Sequence, residues 1–221
     1  MGIHQGQGAV MNKRVPAQLL AGIAVVLATA GGAGIAYKHT KDTEAVAANA
    51  YIQAVAADLT TSQAVKIAMV MGSFYESSYR HIGTPYIDRL GKGQPLTVCN
   101  GITGKAVVAG RYYTPADCYA LERELYIGYE LYLHRDVAGF DRLTALQQAS
   151  FMDFLHNKGA PAWQKSSMRR VLMAGYVTQA CRQNERWKYG TVKGVSVVLP
   201  GLEVRANANA DLCAMSDLST N

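Results

Sequence analysis

Apolar residues recur along most of this chain at helical spacing, with one central stretch cut into short pieces by Gly and Pro. The first apolar block is also the longest: no charged residue falls between Arg14 and Lys38, and Ala17 to Tyr37 reads AQLLAGIAVVLATAGGAGIAY. Glu44 to Leu59 is Ala-rich and free of Gly and Pro, which predicts a helix or stiff linker. Thr61 or Ser62 then caps a second helix, in which Val65, Ile67, Ala68, Val70, Met71 and Phe74 form a broad buried face ending near Glu76. From Gly83 to Gly104 the pattern changes, and Gly83, Pro85, Gly91, Gly93, Pro95, Gly101 and Gly104 separate short extended pieces such as Pro95 to Cys99. Thr114-Pro115-Ala116-Asp117 reads as an N-cap with Pro at the first helical position, opening a helix to about His134. Further helices are predicted from Leu143 to about His156, Gln164 to Ala174, Val177 to about Trp187 and Leu202 to Met215. The sum is an α+β fold, mainly helical, with a small β-sheet lobe behind an N-terminal apolar helix.

The apolar block of 21 residues is long enough to span a bilayer. It holds seven Leu/Ile/Val, seven Ala and four Gly, and at about −0.3 to −0.6 kcal/mol per strongly apolar residue the seven supply only about −3 kcal/mol of insertion energy. Lys13 and Arg14 precede it, whereas Lys38 and Lys41 are offset by Asp42 and Glu44, which puts the N-terminus in the cytoplasm and the rest outside. A cleaved signal peptide, a permanent anchor and a weak anchor that later leaves the bilayer all fit, and the Gly/Ala excess favours the last. Met11 is an alternative start. The expected organisation is a cytoplasmic tail over 1–16, a signal-anchor over 17–37, a linker or helix over 38–60 and a catalytic domain over 61–221.

Composition narrows the partners. The 221 residues carry 22 Lys+Arg against 16 Asp+Glu, a net charge of +6, with 17% charged residues. That excludes a disordered polyelectrolyte and a multi-span membrane protein. Residues 1–44 contribute four basic and two acidic side chains, so the exported part remains basic at +4. Such a balance suits an anionic wall polymer, while nucleic acid is disfavoured by the export topology and by the lack of a basic cluster with interleaved aromatics. The four cysteines, Cys99, Cys118, Cys181 and Cys213, all fall in the exported part, where disulfides form. Three pairings are open, with buried free thiols as the alternative. No Cys/His spacing suits zinc, so no metal and no cofactor are expected.

The informative motifs begin at Glu76. Glu76-Ser-Ser-Tyr-Arg-His-Ile-Gly-Thr-Pro-Tyr-Ile-Asp88, followed by Leu96-Thr97-Val98-Cys99-Asn100-Gly101-Ile102-Thr103-Gly104, resembles the active-site region of phage-type lysozymes, glycoside hydrolase family 24. The likeness continues through Tyr113 to Cys118, Phe154-Leu155-His156-Asn157-Lys158-Gly159, Ala180-Cys181, Arg186-Trp187 with Tyr189, and Leu199-Pro200-Gly201-Leu202 with Arg205, ending at Leu212-Cys213. It covers about 62–215 in order. With the weak anchor in front, the whole resembles a signal-anchor-release endolysin. That resemblance implies a lysozyme-like fold and a muramidase cutting the β-1,4 bond between N-acetylmuramic acid and N-acetylglucosamine in peptidoglycan. It implies an inner-membrane location first, then the periplasm as a released monomer.

Glycoside cleavage needs a protonated acid at the leaving oxygen and, for inversion, a carboxylate that activates water on the opposite face. Glu76 follows Val70, Met71, Phe74 and Tyr75, an apolar setting expected to favour its protonated form. It is the candidate general acid, Asp88 the candidate base and Thr97 the residue that holds the water. Singly, each has a plain structural explanation: a solvated helix end, a turn with a surface ion pair, a strand former. Their order within the likeness gives them weight. Asn157 is placed either against a substrate acetamido group or in a turn cap, and Trp187 and Tyr189 are expected in the core.

Two departures stand out. Eleven residues intervene between Glu76 and Asp88 and eight between Asp88 and Thr97, where the family usually has eight and five. The family's G-x-T tripeptide has His at its centre and this chain has Ile102, which removes a potential buried ion pair. Glu76-Ser77-Ser78 also fits the E-S-x start of lytic transglycosylases, which use one acid, although no Gly-Leu-Met-Gln follows. A non-catalytic wall-binding protein with a degenerate lysozyme fold is the remaining alternative.

Overall fold

The computed structural model describes residues 14–29, 45–46, 49–89 and 93–215. Within the predicted anchor, residues 30–37 lie outside the described set, and Ala17–Thr29 forms helix α1. Among the described residues no helix is long and apolar enough to cross a membrane. Instead Leu19, Leu20, Ile23 and Val26 are buried in the protein's own core, against α2 (Ala50–Ala57) and α3 (Gln63–Ser77). Gly22 permits that approach: a Cβ there would lie 2.5 Å from the Tyr79 hydroxyl and 2.8 Å from Val70 Cγ1.

Of the predicted linker helix over 44–59, residues 45 and 46 are helical, Ala50–Ala57 form α2, and residues 44, 47 and 48 lie outside the described set. Asn49 caps α2 by accepting from the amides of Tyr51 and Ile52, and the helix stops at Asp58. Ser62 caps α3 through the Val65 amide, as expected, and Ser78 ends it in the left-handed region at φ 52°. Two residues at the Pro/Gly-rich stretch make β1 (Tyr86–Ile87), followed by β2 (Leu96–Val98) and β3 (Ile102–Thr103), all antiparallel in the order β1-β2-β3. Thr114 and Asp117 form a reciprocal capping box that opens α4 (Pro115–Asp136).

The α5 helix (Ala145–Lys165) opens on a second capping box, Thr144 with Gln147, and runs through the break predicted after His156. The interruption is a kink at Gly159, φ 78°, followed by Pro161. Helices α6 (Ser167–Met173), α7 (Val177–Arg182) and α8 (Pro200–Ala214) complete the helical body. Between the last two, β4 (Tyr189–Val192) and β5 (Val195–Val198) pair as a hairpin that the hydrophobic pattern does not predict. Its Val192 and Val195 are both exposed, so period-two burial never marks it. Trp187 packs on the core, 4.9 Å from the Phe154 ring, but Tyr189 is exposed and not a core residue. The three open pairings resolve to Cys99–Cys118, which ties the sheet lobe to α4, and Cys181–Cys213, which ties α7 to α8.

Candidate active site

Glu76 stands in the last turn of α3, where Ser78 and Tyr79 turn the chain away with positive φ. Its carboxylate is about one-third exposed, and its nearest partner is a charge rather than an apolar wall. Arg205 of α8 donates from Nη1 to Glu76 Oε1 at 2.5 Å. The same guanidinium donates from Nε and Nη2 to the two oxygens of Asp153 on α5, at 2.9 and 2.8 Å. Both Asp153 and Arg205 are buried. Asn209 donates to Asp153 and accepts from the Tyr75 hydroxyl at 2.8 Å, and the Tyr75 ring lies 4.9 Å from the guanidinium carbon. Burial opposes the Arg205 charge, but Asp153 and Glu76 outweigh it and its pKa is raised. The apolar setting expected for Glu76 is therefore an ionic one, because α8 brings Arg205 across from 129 residues away.

His156 of α5 completes this wall, with Nε2 3.7 Å from Glu76 Oε1. Burial, and then the Arg205 charge, push its pKa down, which keeps the imidazole neutral at physiological pH.

The opposite wall is the three-stranded sheet. Tyr86 pairs with Thr97, and Thr97 with Thr103, so these three side chains share a face. The Asp88 amide donates to the Pro95 carbonyl at 3.0 Å, which extends the β1–β2 ladder and keeps Asp88 on the face of Tyr86, two residues on. Tyr86 reports on both acids: burial raises its pKa first, then the charges of Asp88 and Glu76. Thr97 is buried and its hydroxyl donates to the Pro95 carbonyl at 3.1 Å, so its oxygen lone pairs are what it offers a water. Gly101, at φ 87° in the β2–β3 turn, closes the gap between the walls: a Cβ there would sit 3.2 Å from His156 Nε2 and 3.9 Å from the Glu76 carboxyl carbon.

Next to Gly101 opens a groove of about 610 Å³, lined by Ile102 and Thr103 of β3, by Leu121, Leu125 and Tyr129 of α4, and by Leu155 of α5. Its size suits a small-molecule or oligosaccharide segment. Ile102, in place of the family's His, contributes an apolar side chain to this lining. Asn157 is half-buried, one residue past His156 and two before the kink. The structure thus sets Glu76 against the Gly101 turn, which belongs to the same small sheet as Thr97 and the strand that leads into Asp88.

Arg205 and His156 enter the sequence motifs without a role, and Asp153 does not enter at all. The available signal was an acid inside the apolar run Phe151-Met152-Asp153-Phe154-Leu155. Among the described residues, Cys99, Cys118 and Glu122 have ligand atoms close enough for a metal, but both sulfurs are spent in a disulfide.

Residues 81–209 match the phage lysozyme family model, a span that includes Asp88, Thr97, Asn157 and Arg205 and begins just after Glu76. A SAR-endolysin of Bacteriophage PS119 is 31% identical over 133 residues, covering 58% of this chain and 72% of that one. A SAR-endolysin of Enterobacteria phage P21 is 29% identical over 138 residues, with 58% and 73% covered. In three dimensions, the active form of the P1 phage endolysin Lyz superposes with a TM-score of 0.58 at 16% identity, over 74% of this chain and 90% of that one. The chain belongs to the phage lysozyme family.

Proposed function

We propose that the protein is an endolysin that hydrolyses the β-1,4 bond between N-acetylmuramic acid and N-acetylglucosamine in peptidoglycan. The observation that carries this reading is the placement of Glu76 against the Gly101 turn of the sheet whose first strand leads into Asp88, beside a groove of about 610 Å³. In this reading Glu76 protonates the leaving oxygen. Asp88 activates a water on the opposite face of the sugar, and the Thr97 oxygen accepts a hydrogen bond from that water. Arg205 does not stand over Glu76 as an uncompensated cation, because its charge is shared with buried Asp153. Asn157 is assigned to a substrate acetamido group from its place beside His156.

The reading extends to the N-terminal segment, which has two competing homes. Residues 17–37 first hold the chain at the host inner membrane, and release lets α1 enter the protein core, leaving a monomer in the periplasm. Support comes from marginal insertion, about −3 kcal/mol, together with the burial of Leu19, Leu20, Ile23 and Val26 in the protein core, an alternative home for the same apolar side chains. Docked α1 also covers α3, the helix that carries Glu76, so an undocked anchor leaves the acid's support incomplete. Collapse of the membrane potential is the proposed trigger. Agents that dissipate it are expected to move the protein into the soluble fraction, and retention of all protein in the membrane fraction would sink the release step.

The chemistry is tested by mass spectrometry of the products from purified peptidoglycan, with Glu76→Gln alongside. Reducing-end N-acetylmuramic acid that disappears in the variant is the expected result. Anhydro-muramic ends would indicate a transglycosylase using Glu76 alone, and undiminished lysis by Glu76→Gln would indicate a wall-binding protein.

A further inference from the structure

Against the β2–β3 turn lies a further buried carboxylate that the proposed reaction does not use. Glu122 of α4 has no exposed surface. Its Oε1 accepts from the Asn100 amide at 3.1 Å, and both of its oxygens accept from Asn100 Nδ2 at 3.0 Å. The Tyr51 hydroxyl of α2 donates to Oε2. Burial pushes the Glu122 pKa up, and the bonds from Asn100 and Tyr51 pull it back. An apolar side chain would fill this space at no desolvation cost, so what distinguishes Glu122 is the set of donors it gathers.

Asn100 is the hub of that set. It lies between Cys99 and Gly101, two residues with positive φ (56° and 87°), in the turn that faces Glu76. His156, the neighbour of Glu76, stands against the same turn, with its Nε2 3.2 Å from where a Cβ on Gly101 would lie. Glu122 thus ties the turn from one element and His156 packs against it from another, with the Cys99–Cys118 bridge alongside. The α2 helix makes a second tie, since Asn49 Nδ2 donates at 3.0 Å to the carbonyl of Tyr79, three residues past Glu76. Residues 49–57 precede the part of the chain that matches the family, yet they fasten the backbone on both sides of the gap.

We propose that Tyr51 and Glu122 are positioning residues for glycan cleavage: the relay Tyr51–Glu122–Asn100 sets where the Gly101 turn stands against Glu76. The kinetic part of this proposal rests on the hydrolase reading above, and the structural part does not. The test uses the full-length chain with Tyr51→Phe, Glu122→Gln and Glu122→Met, and with Ile52→Val as a control that trims α2 without touching the relay. Turnover on solubilised glycan strands, thermal unfolding and amide hydrogen exchange at Asn100 are measured for each.

Tyr51→Phe is expected to lower kcat by about tenfold with KM within about twofold, the signature of a misplaced reacting group rather than weaker binding. Asn100 exchange should rise by about tenfold in the same variant. Glu122→Met should lose more, roughly 30-fold or above in kcat, and Glu122→Gln, which still accepts from Asn100, should recover most of that loss. Ile52→Val should lose thermal stability and keep kcat. Wild-type kcat and wild-type Asn100 exchange in Tyr51→Phe would overturn the relay. So would a kcat loss that Ile52→Val reproduces at equal loss of stability. If Glu122→Met does not fold, Tyr51→Phe and Glu122→Gln decide. If the wild-type chain releases no reducing ends, the hydrolase reading falls, and Asn100 exchange still decides the relay.

Discussion

Glu76 stands on a wall of helices and is gripped by a buried guanidinium, whereas Asp88 follows a strand of two residues and is held by backbone pairing to Pro95. The first wall fixes its acid through side-chain charges: Arg205, Asp153 and Asn209 come from α5 and α8 and meet where no water dilutes them. The second fixes its acid through register, with the β2–β3 turn and the Cys99–Cys118 bridge as its ties to the body. One wall is therefore vulnerable to single side-chain changes, and the other to loss of a cross-link.

The sharpest contrast is in turnover. Glu76→Gln removes the proton donor and should lower kcat by about 10³-fold or more on glycan strands, near the upper range for general acid catalysis, with the fold intact by circular dichroism. Next comes the helical wall itself: Arg205→Met leaves Asp153 buried without its partner, and the denaturant midpoint should fall by an amount worth about 3–5 kcal/mol. The cross-links then separate the walls. Removing Cys99–Cys118 or Cys181–Cys213 as Ser pairs should each cost about 3 kcal/mol of stability, since the closed loops are of similar length. Only the first should also depress kcat in the folded fraction, because only it ties down the sheet.

The smallest effect lies outside both walls. Asp136 accepts from Arg169 at 2.8 and 3.0 Å, and that bond, with burial opposing it, holds its pKa at about 2, below the ordinary 3.8. A lowered carboxylate pKa stabilises the fold above its unfolded value, and the stabilisation is lost as pH falls through the folded one. Thermal stability should thus decline between about pH 4 and pH 2 in part through this group, and Asp136→Asn should flatten that limb while lowering the plateau.

Local chemistry made much of this legible in the sequence. The Ser62 cap and the Thr114 capping box with Pro115 are both written within a few residues of the helices they open. What escaped was non-local. An Ala/Gly-rich apolar helix reads the same whether its destination is a bilayer or a protein core, so the packing of α1 on α2 and α3 had no sequence mark. The apolar neighbours of Glu76 in sequence are not its neighbours in space, where Arg205 and His156 meet it. Asp153 carries no mark in the motifs because its partner Arg205 lies 52 residues further on. The β4–β5 hairpin escaped for the opposite reason: exposed Val192, Val195 and Val198 leave no alternation to detect.

The claim that these two walls act on one bond from opposite sides is tested most directly by the anomeric configuration of the first product, followed by NMR before mutarotation. A water activated by Asp88, opposite to Glu76, predicts inversion and an α-configured reducing end from the β-1,4 linkage. A β-configured reducing end would contradict the account, because it would make the carboxylate on the sheet wall a nucleophile or remove it from the reaction.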